Sequence, residues 1–278
     1  MINKKPLLLI ILAILCVALL CGCASTSARV QKALDKMETY DSVHMKGTAN
    51  ASINMQGTNI DMDAEYDIKV VSEDIQMSMK TKTGFMNLDV EYYFADGKFY
   101  MYMPQMFDKY IDASSMYGQM MDEGLGMDLS AFDFDVAATE LKPEDVTIDY
   151  QGKEVKALKV KVLLNDEQMT QLIKDIFRQQ NFSSDTLAGQ ALNEASRMYE
   201  SINIASAEYT IYIDEGNNVL RFDVAAEFTM QAAGQNMSYD MVMTYDIIDT
   251  GDSVKIELPD IEPEDTVTFE ELLSGFSE

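Results

Sequence analysis

From Val43 onward, apolar and polar residues alternate with period two over long stretches, a pattern that fits extended strands and that no helix can satisfy. Val43, Met45, Gly47, Ala49, Ala51, Ile53 and Met55 point one way, and His44, Lys46, Thr48, Asn50, Ser52 and Asn54 the other. After a Gly57-Thr58-Asn59 turn, Ile60, Met62, Ala64, Tyr66, Ile68 and Val70 alternate with Asp61, Asp63, Glu65, Asp67 and Lys69. One face is oily and the other is a ladder of carboxylates, read as solvated. Ile75, Met77 and Met79 continue the pattern. They are followed by Met86, Leu88, Val90, Tyr92 and Phe94, an Asp96-Gly97 hairpin turn, then Phe99, Met101 and Met103. Five strands in succession predict an antiparallel meander.

The stretch 106–141 lacks this period and reads as a loop with broken helix. A hairpin follows at Val146–Tyr150 and Val155–Leu163. Two helices come next, the first from an Asn165/Gln168 capping box and burying Phe177, the second capped near Asp185. Further strands run through Ala207–Ile213, Leu220–Met230 and Met237–Ile247, with a short last one at Val254–Leu258. A terminal helix is expected from Thr268, where Glu271 completes another capping box. Ahead of the strands, Val30, Ala33, Leu34 and Met37 recur at helical spacing after a Ser27 cap.

The N-terminus carries an address. Lys4 and Lys5, an apolar run from Leu7 to Leu20, and Cys21-Gly22-Cys23 follow the layout of a secretory signal. The run is short beside the roughly 20 residues that a spanning helix needs. Leu20-Cys21-Gly22-Cys23 resembles a bacterial lipobox, which implies diacylation of Cys23 and a mature protein anchored on the extracytoplasmic face of the cell membrane. All three cysteines lie at or before residue 23, so no disulfide is expected in the mature chain. The division expected is a signal peptide at 1–22, a short tether at 23–27, one domain at 28–258 and an acidic tail with a short helix at 259–278.

The net charge of −26 argues against a nucleic-acid partner, because a polyanion is bound by a basic surface that releases counterions. Nucleophile elbows and phosphate loops are absent, and His44 stands alone, so no catalytic residue, metal or cofactor is predicted. His44 falls on the polar face and reads as solvated. The 21 methionines are the unusual feature. Many lie on apolar strand faces, where this flexible side chain suits a packed core or a varied apolar partner equally. Methionine clusters also coordinate copper(I), but the shortage of Cys and His sets that reading aside.

The helix Ala33–Val43 running into the first strand, and the hairpin with Ile213, Asp214, Asn218, Leu220 and Arg221, resemble elements of the LolA-like lipoprotein-carrier superfamily, the group of LppX and LprG. The resemblance implies an α+β fold in which a large curved antiparallel sheet, a half-barrel, wraps around a few helices and encloses an acyl chain. Met62, Tyr66, Met77, Met79, Met101, Met103, Phe177, Phe222, Phe228, Met241 and Met243 are then the cavity-lining candidates. The expected function is binding or carriage of an apolar ligand by a non-enzymatic, lipid-anchored protein. The alternative is a fully packed module whose acidic face docks an envelope protein.

Overall fold

A computed structural model describes residues 24–55, 57–72, 74–83, 86–115, 140–163, 201–232, 235–268, 271 and 272. The signal segment with Cys23, and the two helices expected between 165 and 202 with Phe177, lie outside the described residues apart from 201 and 202.

Helix α1 (Ala24–Glu38) begins three residues ahead of Ser27. Twelve strands follow: β1 (Ser42–Met55), β2 (Thr58–Val71), β3 (Asp74–Thr83), β4 (Asn87–Ala95), β5 (Lys98–Tyr102), β6 (Tyr110–Asp112), β7 (Glu140–Tyr150), β8 (Lys153–Leu163), β9 (Asn203–Ile213), β10 (Val219–Ala232), β11 (Gln235–Thr250) and β12 (Thr266–Thr268). They form one sheet in the order β12-β6-β5-β4-β3-β2-β1-β11-β10-β9-β8-β7. All pairs are antiparallel except β12 with β6. The two meanders join at β1, which pairs along its length with β2 on one side and β11 on the other.

The architecture corrects the expectation of a half-barrel wrapped around several helices. Among the described residues the sheet is single and open, and it packs against one helix. The stretch read as loop contributes β6 and the start of β7, and the run Val254–Leu258 pairs with nothing. That segment instead crosses the sheet: the Glu257 amide donates to Gln76 Oε1 (3.3 Å), and Lys109 Nζ donates to the Glu264 carbonyl (2.8 Å). At Thr268 the expected capping box forms, with the Thr268 amide donating to Glu271 (2.9 Å) and the Glu271 amide to Thr268 Oγ1 (3.1 Å).

The core forms where α1 lies on the apolar face. Val30, Ala33, Leu34 and Met37 pack with Val43, Met45, Ile68, Val70, Ile211, Ile213, Phe222 and Ile247. Leu34 is 1% exposed, so truncating it to Ala costs about 2–5 kcal/mol. The helix is fixed at the β9–β10 turn, where Arg29 donates to the Asp214 carbonyl (2.9 Å) and Lys36 to that of Gly216 (3.4 Å). The hairpin motif explains the turn itself. Asp214 accepts from the Asn218 amide and side chain, both at 2.7 Å, while Asn217 takes a left-handed φ of 58°.

A second, smaller cluster lies on the opposite face, where Ala157, Tyr212 and Leu220 pack with Val146, Ile148, Tyr150 and Val155. The tip of the β7–β8 hairpin reaches β11 on this side: the Tyr150 hydroxyl donates to the Ile247 carbonyl, and Gln151 Nε2 to that of Ile248 (3.1 Å).

Candidate functional site

Because the register between neighbouring strands is unbroken over most of their length, the apolar residues stand in rows across the sheet. At the end where α1 packs the row is Val43, Val70, Ile75, Phe94 and Phe99, followed by Ile247, Met45, Ile68, Met77, Tyr92 and Met101. Next comes Phe222, Tyr245, Gly47, Tyr66, Met79 and Val90, and then Val224, Met243, Ala49, Ala64, Thr81 and Leu88. Farther out stand Ala226, Met241, Ala51, Met62 and Thr83, then Phe228, Tyr239, Ile53 and Ile60. The outermost row is Met230, Met237 and Met55.

Of the predicted lining residues, Met62, Tyr66, Met77, Met79, Met101, Phe228, Met241 and Met243 share this face and are half-buried. Phe222 is 7% exposed and belongs to the packed core under α1, so it is a core residue more than a lining one. Met103 lies past the end of β5, where its carbonyl accepts the amides of Met106 and Phe107, both at 2.9 Å. Cys23 and Phe177 lie outside the described residues.

An α-helix of 15 residues is about 22 Å long, whereas a strand of 14 residues runs about 46 Å. Helix α1 therefore covers one end of the face only. Beyond it the lining is neutral. Burial raises the Tyr66 and Tyr239 phenols, and burial with the nearby Tyr66 pushes Tyr245 up to about 12; Tyr209 reaches about 12 by burial alone. The phenols lean on sulfur, Tyr245 donating to Met243 Sδ and Tyr239 to Met237 Sδ, each at 3.7 Å.

On the polar face the carboxylate ladder is solvated as expected at Asp61, Asp63 and Glu65, and departs from that reading at Asp67. Asp63 and Glu65 stand opposite Lys82 and Lys80 of β3. Asp67 is held by Lys46 Nζ (3.0 Å) and by His44 Nε2 (2.8 Å). His44 is thus a half-buried partner of Asp67 and not a freely solvated side chain. Missed altogether by the sequence reading was the ionic cluster under the β7–β8 hairpin. Arg221 donates to both oxygens of Asp246 (2.6 and 3.1 Å) and to the Asp149 carbonyl (3.0 Å), while Asp223 accepts from Tyr212 (2.8 Å) and Thr244 (2.9 Å). Its signal was Tyr212, an aromatic residue out of phase with Tyr209, Ile211 and Ile213, which packs with Ala157 and Leu220.

Among the described residues no three His, Cys, Asp or Glu side chains form a metal-binding group, and no helix is long and apolar enough to cross a membrane.

A sheet with one ionic face and one apolar face, the latter only partly under a helix among the described residues, defines a two-faced β-sheet protein. The chain belongs to the DUF6612 family, a family of unknown function, whose model matches residues 26–261. No curated protein matches it. Among solved structures it is similar to a DUF1329 family protein from Desulfovibrio piger, at 12% identity over 85% of this chain and 97% of that one with a TM-score of 0.25. It is also similar to the ywiB protein from Bacillus subtilis, at 6% identity over 75% of this chain and 94% of that one with a TM-score of 0.21. A structure of lipovitellin concerned with lipid–protein interactions matches at 10% identity over 81% of this chain and 27% of that one, with a TM-score of 0.27. Scores this low carry no argument about function.

Proposed function

We propose that the chain is an extracytoplasmic lipoprotein, anchored through a diacylated Cys23, whose apolar sheet face takes up an acyl chain or similar apolar ligand beyond α1. The observation that supports it is the half-buried set Met62, Tyr66, Met79, Met241 and Met243, which continues the core's rows past the reach of the helix. Removing such surface from water is favourable at about 25 cal/mol per Å², and flexible thioethers accommodate chains of varied shape. The lipobox-like tetrad and the resemblance to LolA-like carriers support the same reading.

The test is native mass spectrometry of the chain from Ala24 onward, purified from a lipid-containing host, followed by organic extraction and by uptake of a fluorescent fatty acid. Co-purifying lipid, or saturable uptake, that is lost in Met79→Trp and Met241→Trp is the expected result. An apo mass together with no uptake overturns the ligand-binding reading and favours a module that docks a protein partner. The anchor is tested separately, as labelled palmitate incorporated in cells by the full chain and not by Cys23→Ser.

A further inference from the structure

The outermost row of the apolar face is chemically unlike the others. Met230 of β10 faces Met237 of β11, and Met237 faces Met55 of β1, so three thioethers stand side by side on three adjacent strands. Directly opposed residues have Cβ atoms about 4.5–5.5 Å apart, and methionine carries three rotatable bonds. All three sulfurs can therefore turn toward one point above Met237. Met230 also packs in the buried core, but Met55 and Met237 do not belong to it, and the row beside them serves the same face with Ile53, Ile60, Tyr239 and Phe228.

We infer that Met55, Met230 and Met237 form a binding site for a soft monovalent metal ion, copper(I), at the end of the sheet remote from α1. Thioether sulfur is a soft, neutral donor that suits copper(I), whereas calcium, magnesium and manganese want oxygen ligands. The row holds no carboxylate or imidazole, and a single positive charge among neutral sulfurs is the ion such a site can take. Next to it the rings of Phe228 and Tyr239 stack at 4.7 Å and 5°, walling that side of the row with apolar surface. Met237 Sδ is already used as an acceptor by the Tyr239 hydroxyl (3.7 Å), a weak bond that a metal displaces at little cost. Met230 is 9% exposed, while Met55 and Met237 are half-buried and keep part of their surface exposed. The net charge of −26 raises the local concentration of any cation. This site stands on the register at the sheet's end and is independent of apolar-ligand binding.

The experiment uses the full chain carrying Cys16→Ser, Cys21→Ser and Cys23→Ser, so that no thiol competes, titrated anaerobically with copper(I) against a chromophoric copper(I) chelator. One equivalent of copper is withheld from the chelator, and Met237→Leu weakens retention at least tenfold, as do Met55→Leu and Met230→Leu. Met86→Leu and Met106→Leu, at exposed positions, leave it unchanged. Complete loss of copper to the chelator, or undiminished retention by the triple Leu variant, overturns the inference. Should the Leu variants unfold, silver(I) on the unaltered row decides: it slows peroxide oxidation of Met55 and Met237 relative to Met86, and equal oxidation of all three overturns the site.

Discussion

The rings of Tyr66 and Tyr245 meet at a centroid separation of 5.9 Å over the bare backbone of Gly47, which lies opposite both of them. A Cβ on Gly47 would fall 2.5 Å from Tyr245 Cδ1 and 2.5 Å from the Thr244 carbonyl oxygen. The ring could swing away; the carbonyl, held in the β-ladder, could not. Gly47→Ala is expected to destabilise the fold by about 1–3 kcal/mol, the cost of overpacking. Gly216→Ala, whose nearest neighbour is Asn218 Nδ2 at 3.1 Å, changes stability far less. Urea unfolding of the two variants side by side checks this.

The protein should lose stability in alkali. Tyr245 and Tyr209 keep their protons up to about 12 in the folded chain, whereas tyrosines of the unfolded chain ionise near 10. Above about pH 10 the unfolded state therefore sheds protons that the folded state retains, and each further rise in pH favours unfolding. Urea midpoints fall between pH 10 and 12, and Tyr245→Phe makes that fall shallower.

Acid acts through Asp67. Burial opposes its ionisation, but Lys46 and His44 outweigh burial and hold the carboxyl below its ordinary 3.8. Such a group contributes stability above its unfolded pKa and loses it as pH falls through the lower folded value. Because the side chain is 37% exposed, Asp67→Asn costs only about 0.5–1 kcal/mol at neutral pH. The variant's stability then changes less than the parent's below pH 4, as read by circular dichroism.

Arg221 ties the β7–β8 hairpin to the body of the sheet through its fork on Asp246 and its bond to the Asp149 carbonyl. Lysine cannot reproduce that fork, and methionine leaves Asp246, only 24% exposed, without its partner. Arg221→Met is expected to cost about 2–4 kcal/mol, less than a fully buried pair. Amide exchange at Tyr150 and Gln151 accelerates well beyond that at β1.

The long strands were legible because their alternation is local and each buries one face. β6 was not, since three residues, Tyr110–Asp112, are too few to carry a period. β7 opens on Glu140, Lys142, Pro143, Glu144 and Asp145, residues disfavoured in strands, and is tolerated because it lies at the sheet's edge, where a missing amide and a charge harm no ladder. Val254–Leu258 has the pattern of a strand but joins no ladder; its Glu257 amide is taken by the Gln76 side chain instead. The apolar face was readable from Met62 to Met243. That Phe222 falls under α1 while Met62 does not depends on where the helix settles, and Arg29 fixes that through backbone carbonyls about 185 positions away. No local pattern encodes such a placement.

The seam at β1 also sets an order of events. Hairpins β1–β2 through β4–β5, and β7–β8 with β9–β11, close between neighbours in the chain, but Val43 meets Thr250 only after nearly all of the polypeptide exists. A ribosome or a translocation channel delivers β1 early and β11 late. For that interval the first strand has one edge satisfied and the other bare, facing whatever else in the cell can extend a sheet. Folding of the sheet therefore waits on the arrival of β11, the long-range pairing that closes this edge.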